Sequence, residues 1–204
     1  MPGKTKPLAL LILFFVAFLA PARSLDESSG QLLGGSMNSP IRLEVFSDFQ
    51  CSACREYYLN TIRPVLKEYS SRDKVCVIYH EYPLSYHKYA LLASYYSEAA
   101  ARIGTQQLLE VRDSLYTDQA KWSQDGSVED TVAKALARDD FQKLKKILQD
   151  TSIKSTIEKG IELGEKHEVR STPTTLIYYI GKQQRVEGLV TYMVMKQFID
   201  SIVK

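Results

Sequence analysis

The chain has 204 residues, with 26 basic and 24 acidic side chains, three histidines and three cysteines. That length supports one domain with its own core. The near-neutral balance argues against a nucleic-acid binder, which needs a basic face, while leaving room for a local basic patch.

The first residues read as a leader rather than as part of the core. Lys4 and Lys6 precede an apolar run, Leu8 to Ala20, and the small residues Ala20, Ala22 and Ser24 follow. A basic start, a short apolar middle and a small-residue end match a secretory signal peptide, here residues 1–22, cleaved near Ala22 or Ser24. The run is shorter than the ~20 apolar residues of a spanning helix; an uncleaved N-terminal membrane anchor is the alternative. Losing Lys4 and Lys6 leaves 24 basic and 24 acidic residues. Export also places the cysteines in an oxidising compartment, where they tend to pair. An odd number leaves at least one over unless chains cross-link.

Residues 23–39, rich in Gly and Ser, are expected to be a flexible lead-in. From Ile41 the pattern alternates, with Ile41, Leu43 and Val45 on one face and Arg42, Glu44 and Phe46 on the other, as in a strand. A helix is expected after Cys51, with Pro64 kinking it or starting a new turn. Lys74 to His80, rich in β-branched and aromatic residues, reads as a second strand. A strand, a helix and a strand make a βαβ unit, in which the strands should be parallel. Helical patterns then occupy 87–101, 105–117, 127–138, 140–149 and 152–167, and Ser127 to Asp130 has the spacing of a capping box. Strand character returns in Thr174 to Ile180 and Gln183 to Glu187, a hairpin around Gly181. Residues 191–203 close the chain as a helix.

The stretch FSDFQCSACREYYL, residues 46–59, carries the chemistry. Cys51 and Cys54 are too few ligands for a structural zinc site, which takes four. Cys76, His80, His87 and His167 show no ligand spacing that would complete one. A disulfide stabilises by closing a long loop, and two intervening residues close almost nothing. A redox pair fits better. Cys51 stands at the start of a helix, where unpaired N–H groups and the dipole favour an anion, and the thiolate is the species that attacks disulfides. Position therefore makes Cys51 the nucleophile and Cys54, one turn on, the resolving thiol. Cys76, mid-strand, reads as a small buried hydrophobe. His80 and His87 read as junction residues. Asp48 and Gln50 read either as lining of a substrate groove or as a solvated loop.

These elements and stretches resemble the exported DsbA-like thiol:disulfide oxidoreductases. The resemblance rests on VFSDFQCSACREYY, HEYPLSYHKYALLASYYSEAA, LYTDQAKWSQ and VRSTPTTLIYYIGKQQRVEG, and it covers roughly residues 40–203. It implies an α/β, thioredoxin-like fold with an inserted α-helical domain. Residues 40–84 form the first βαβ half, 85–167 the insertion and 168–204 the closing ββα half. Read alone, Pro173 is an ordinary trans proline at the start of a strand. The resemblance implies a cis Thr172–Pro173 bond facing the cysteines, with Thr172, Pro173, Ser52 and Ala53 meeting the substrate. It also implies a proton relay at Glu44, which otherwise reads as an exposed strand glutamate.

Two departures bear on strength. Ser52-Ala53 stands where the best-known members carry Pro-His, and Thr172 where they carry valine. Ser52 reads equally as a donor to the thiolate and as a helix cap. The implied function is disulfide exchange with unfolded or cysteine-containing exported proteins, in a direction left open. The expected chain is a monomer with no bound cofactor and no metal, working through a Cys51–Cys54 disulfide and recharged by a membrane quinone-linked partner. The rival reading is a peptide-binding periplasmic chaperone with an incidental cysteine pair.

Overall fold

A computed structural model describes residues 30–203. The expected leader, 1–22, lies outside the described residues. Five strands form one sheet in the order β1-β3-β2-β4-β5. The first is β1 (Gln31–Gly34), followed by β2 (Ile41–Ser47) and β3 (Val75–Glu81). The last two are β4 (Thr174–Tyr179) and β5 (Lys182–Glu187). β2 and β3 run parallel, Ile41 opposite Val75 and Ser47 opposite Glu81, as the helical connection between them requires. β4 joins β2 antiparallel, Phe46 opposite Thr174. The β4–β5 hairpin turns through Ile180 and Gly181, both with positive φ, the two-residue form that matches strand twist.

The lead-in is not wholly flexible, which corrects the reading of 23–39. Gln31–Gly34 pairs antiparallel with β3, and Leu33 is buried. Only four residues are involved, too few for a periodic signal, and the pairing comes from tertiary contact. Gly35 lets the chain leave at φ 76°, where an added Cβ would fall 2.1 Å from the Val75 carbonyl oxygen.

After Cys51 the chain forms α1 (Ser52–Tyr57), a π-helical turn (Tyr58–Ile62) and α2 (Arg63–Glu68). Pro64 sits in the first turn of α2, where its missing N–H costs little. The wider turn just before it absorbs the mismatch. The insertion holds α3 (Ala90–Ala101), α4 (Thr105–Thr117), α5 (Gln119–Asp125), α6 (Val128–Ala135) and α7 (Arg138–Ile147). It ends with the long α8 (Ser152–Lys166), and α9 (Tyr192–Ile202) closes the chain. α5 has no counterpart in the periodicity. It is anchored by Trp122, whose Nε1 donates to the Leu115 carbonyl at 2.6 Å. The capping box at Ser127 does not form: its side chain makes no cap hydrogen bond. Instead its backbone N–H donates to the Asp125 carboxylate at 2.8 Å.

Strand alternation sorts the core by face. Ile41, Leu43 and Val45 share one cluster with Cys54, Tyr57, Ile62, Met195 and the apolar residues of α4 and α6. Phe46 and Leu176, on the other face, pack with Leu163 and Val169. α8 reaches that face closely at Gly164, where a Cβ would fall 2.4 Å from the Tyr82 ring. No helix among the described residues is long and apolar enough to cross a membrane.

Candidate active site at the start of helix α1

Cys51 occupies the cap position of α1, with extended backbone (φ −72°, ψ 121°). It is half-buried, and Cys54 one turn later is fully buried. Both thiols are free. The Cys51 thiol is lowered to about 5, first by a hydrogen bond from the Cys54 side chain. The Cys54 backbone N–H, the Thr172 side chain and the Ala53 backbone N–H add to this, against the cost of burial. Two units below neutrality, that leaves about 99 % thiolate at pH 7. Cys54 is pushed the opposite way, well above the ordinary thiol range, by burial and then by Cys51. The two environments push the thiols apart, Cys51 toward the thiolate and Cys54 toward the protonated form.

The Thr172–Pro173 peptide is cis, and the Thr172 carbonyl oxygen lies 3.4 Å from Cys51 Sγ. The Pro173 carbonyl accepts from the Gly188 N–H at 2.8 Å. Thr172 thus meets Cys51 across 121 residues of sequence. Ser52 is exposed at the first position of α1. Cys51, not Ser52, holds the cap position, and Ser52 is not among the leading groups at the thiolate. Ala53 contributes its backbone N–H.

Glu44 is buried, as a relay would need, but in the wrong place. Its side chain lies on the Phe46 face, across the sheet from Cys54. There it pairs with Arg42 Nε at 2.9 Å and faces His80 Nε2 at 3.5 Å. Alternation shows that Glu44 and Val45 face opposite ways; it does not show which face the cysteine helix covers. His80 is buried within β3, stacked on Phe46 at 4.7 Å between ring centroids. Cys76, also buried on that face, is raised to about 11 by burial. Among the described residues no group of three His, Cys, Asp or Glu is placed to hold a metal.

Several residues of the site were not legible as such in the sequence. Asp48 neither lines a groove nor meets solvent: it is fully buried. Its carboxylate accepts from the backbone N–H groups of Gln50 (2.6 Å), Cys51 (3.2 Å) and Leu84 (2.7 Å) and meets His87 Nδ1 at 2.9 Å. One acidic side chain therefore ties the cysteine loop to the junction after β3. The insertion grips the same loop. Gln119 Nε2 donates to the carbonyls of Phe49 (2.6 Å) and Cys51 (3.0 Å). Gln50 reaches back to Ser123 O and to the Tyr89 N–H. Deeper, Arg112 and Glu81 form a buried pair at 2.5 Å, joined by Gln31 and Ser97. The guanidinium of Arg112 lies over Phe49 and Tyr79. An arginine and a glutamate 31 residues apart give no local signal of such a pair.

A parallel-cored sheet with a strand–CxxC–helix unit, a cis-proline strand opposite and a helical block between its halves defines a class by architecture: the thioredoxin-like folds with a helical insertion. A family profile described as thioredoxin matches residues 27–201. The probable disulfide bond formation protein D of Bacillus cereus is 24 % identical over 147 residues, covering 70 % of this chain and 68 % of that protein. Disulfide bond formation protein D of Bacillus subtilis is 24 % identical over 180 residues, covering 86 % and 78 %. Among solved structures, Wolbachia pipientis alpha-DsbA1 superposes with a TM-score of 0.70 at 18 % identity, covering 85 % of this chain and 90 % of that one. Oxidised BdbD from Bacillus subtilis gives 0.67 at 20 % identity, covering 86 % and 93 %. The chain belongs to the thioredoxin family.

Proposed function

We propose that this protein is an exported thiol:disulfide oxidoreductase that passes its Cys51–Cys54 disulfide to cysteine-containing proteins. The observation that carries this reading is the asymmetry of the pair, a half-buried thiolate at Cys51 beside a buried, protonated Cys54. A dithiol whose reduced form is stabilised in this way gives up its disulfide readily. The names of the Bacillus relatives point the same way.

The exchange proceeds in two displacements. A substrate thiolate attacks Cys51 Sγ, the Cys51–Cys54 bond breaks and its electron pair goes to Cys54. A second substrate thiolate then attacks the substrate sulfur of the mixed disulfide, and Cys51 leaves as the stable thiolate. The substrate is oxidised by two electrons and the enzyme reduced by two. Thr172 and Pro173 offer the extended backbone on which a substrate segment is held, with Ser52 and Ala53 exposed and half-buried beside it. A membrane quinone-linked partner restores the disulfide. The Lys4/Lys6 leader supports export, and the chain acts as a monomer.

The test is the reduction potential of the purified protein lacking residues 1–22, equilibrated with glutathione, with Cys54→Ser as control. The expected value lies well on the oxidising side of thioredoxin, near −270 mV. A value at or below that would reverse the direction. Absence of any Cys51–Cys54 disulfide would leave the peptide-binding reading, which keeps its holdase activity in a Cys51→Ser, Cys54→Ser double variant.

A further inference from the structure

β2 ends at Ser47, whose side chain lies on the Val45 face with Cys54. Ser47, Cys54 and Tyr116 are all buried. The Ser47 hydroxyl acts to lower the Cys54 thiol against the cost of burial, and its Oγ lies 2.8 Å from the phenol oxygen of Tyr116. The Asp48 N–H also donates to Cys54 Sγ, at 3.5 Å. Tyr116 comes from α4, in the insertion. Its ring is wedged between Phe49 and Tyr58, each 4.9 Å away between centroids, so its hydroxyl has little freedom to turn elsewhere.

Cys54 must carry a negative charge each time the disulfide opens, yet it sits in a site that resists charge. The charged and titratable groups facing it are Cys51 on the same loop, Tyr57 and Tyr58 on its own helix and the turn that follows, and Tyr116, with Arg112 and Glu81 beyond. Glu44 is across the sheet. Two buried hydroxyls are poor proton acceptors but good donors. Either hydroxyl can donate across the Ser47–Tyr116 contact; with the Tyr116 O–H donating to Ser47 Oγ, the Ser47 O–H is left free for the sulfur.

Building on the dithiol reading above, we infer that Ser47 and Tyr116 form a donor chain that stabilises Cys54 as the leaving thiolate. In that step the substrate sulfur bonds to Cys51, the Cys51–Cys54 bond breaks, and Cys54 departs with the electron pair before taking a proton from water. In this reading Ser47, next in the chain to the Asp48 N–H that donates to Cys54 Sγ, is the donor to the sulfur, and Tyr116 is a positioning residue that acts through it. A leaving thiol of lower basicity leaves faster, so the chain sets the opening rate. The helical insertion thereby supplies a side chain to the exchange step itself.

The test uses the oxidised protein, a small monothiol in excess, and acid quench followed by alkylation to count mixed disulfide. Ser47→Ala and Tyr116→Phe should each slow opening by about tenfold or more, the scale of a hydrogen bond to a charged group. The double variant should be little slower than either single one, because both act on one chain. Ser47→Thr should restore the rate. In a Cys51→Ala background, thiolate absorbance should show the Cys54 midpoint moving to higher pH in both variants, a change that loosened packing alone would not make. Folded variants with wild-type opening rates and an unmoved midpoint would overturn the inference while leaving the proposed function standing. A wild-type protein that forms no Cys51–Cys54 disulfide would overturn both.

Discussion

Removing the Cys54 thiol tests what holds the Cys51 thiolate. The largest cause of the lowered value is the hydrogen bond from the Cys54 side chain, ahead of the two backbone N–H groups and Thr172. In Cys54→Ala the midpoint should rise from about 5 by roughly two units or more, toward the ordinary thiol range. At pH 5 the thiolate fraction then falls from about one half to about 1 %, a roughly fiftyfold loss. A more basic thiolate is also a better nucleophile, and with a Brønsted slope of about 0.45 two units gain roughly eightfold. Attack on a small aromatic disulfide should therefore slow about sixfold at pH 5 and quicken about eightfold at pH 10. The two rate profiles should cross between these limits. Stopped-flow rates across pH 4 to 10, measured for Cys54→Ala and for the reduced wild type, give both curves. A variant midpoint within half a unit of wild type would show that the helix start and Thr172 suffice. A wild-type midpoint near 9 would refute the lowered thiol altogether. The same shift has a stability sign. Because the folded value lies below the ordinary one, Cys51 stabilises the reduced fold above pH 9 and loses that contribution as pH falls toward 5.

Three further outcomes are expected. Asp48→Ala removes the acceptor of the Gln50 and Leu84 N–H groups and the contact to His87, leaving the Cys51 N–H only the Asp48 carbonyl, and should cost about 3 kcal/mol by urea denaturation; a loss under about 1 kcal/mol would show that the loop holds itself. Glu81→Ala leaves the Arg112 charge buried and unpaired, and should cost about 3–5 kcal/mol. Replacing both by apolar residues of similar volume should recover most of it. Recovery absent in the double variant would mean that Gln31, Ser97 and the aromatic faces depend on the guanidinium itself. Glu44→Gln should lower stability by about 1–2 kcal/mol and leave the exchange rate and its pH profile unchanged. A slowed, pH-shifted rate would support the relay role that the family resemblance implies, despite the pairing of Glu44 with Arg42 and His80.

Much of the architecture was readable because it rests on local patterns. The alternation of Ile41, Leu43 and Val45, the β-branched run in Val75–Glu81 and the Gly181 hairpin each carry their own periodicity or turn chemistry. So does the strand–CxxC–helix unit, where the position of Cys51 alone implies its role. What stayed hidden depends on partners distant in sequence. β1 is four residues made regular only by β3. Asp48 looks like a loop acid until Leu84 and His87 arrive, and Ser47 is an ordinary strand-end serine without Tyr116. Glu44 failed for a different reason: strand period separates two faces but is blind to which one α1 covers.

The contacts from Gln119 to the carbonyls of Phe49 and Cys51 have a consequence for how this fold can be taken apart. An inserted domain that merely overhung the active site could be exchanged for another or trimmed away, leaving a smaller working redox protein. Here the insertion bonds the main chain on which the nucleophile stands and fills the space beneath its partner with Tyr116. The two halves of the thioredoxin body are thus completed by the segment that interrupts them. Grafting this active-site loop onto an uninterrupted thioredoxin scaffold should transfer the residues without transferring their reactivity.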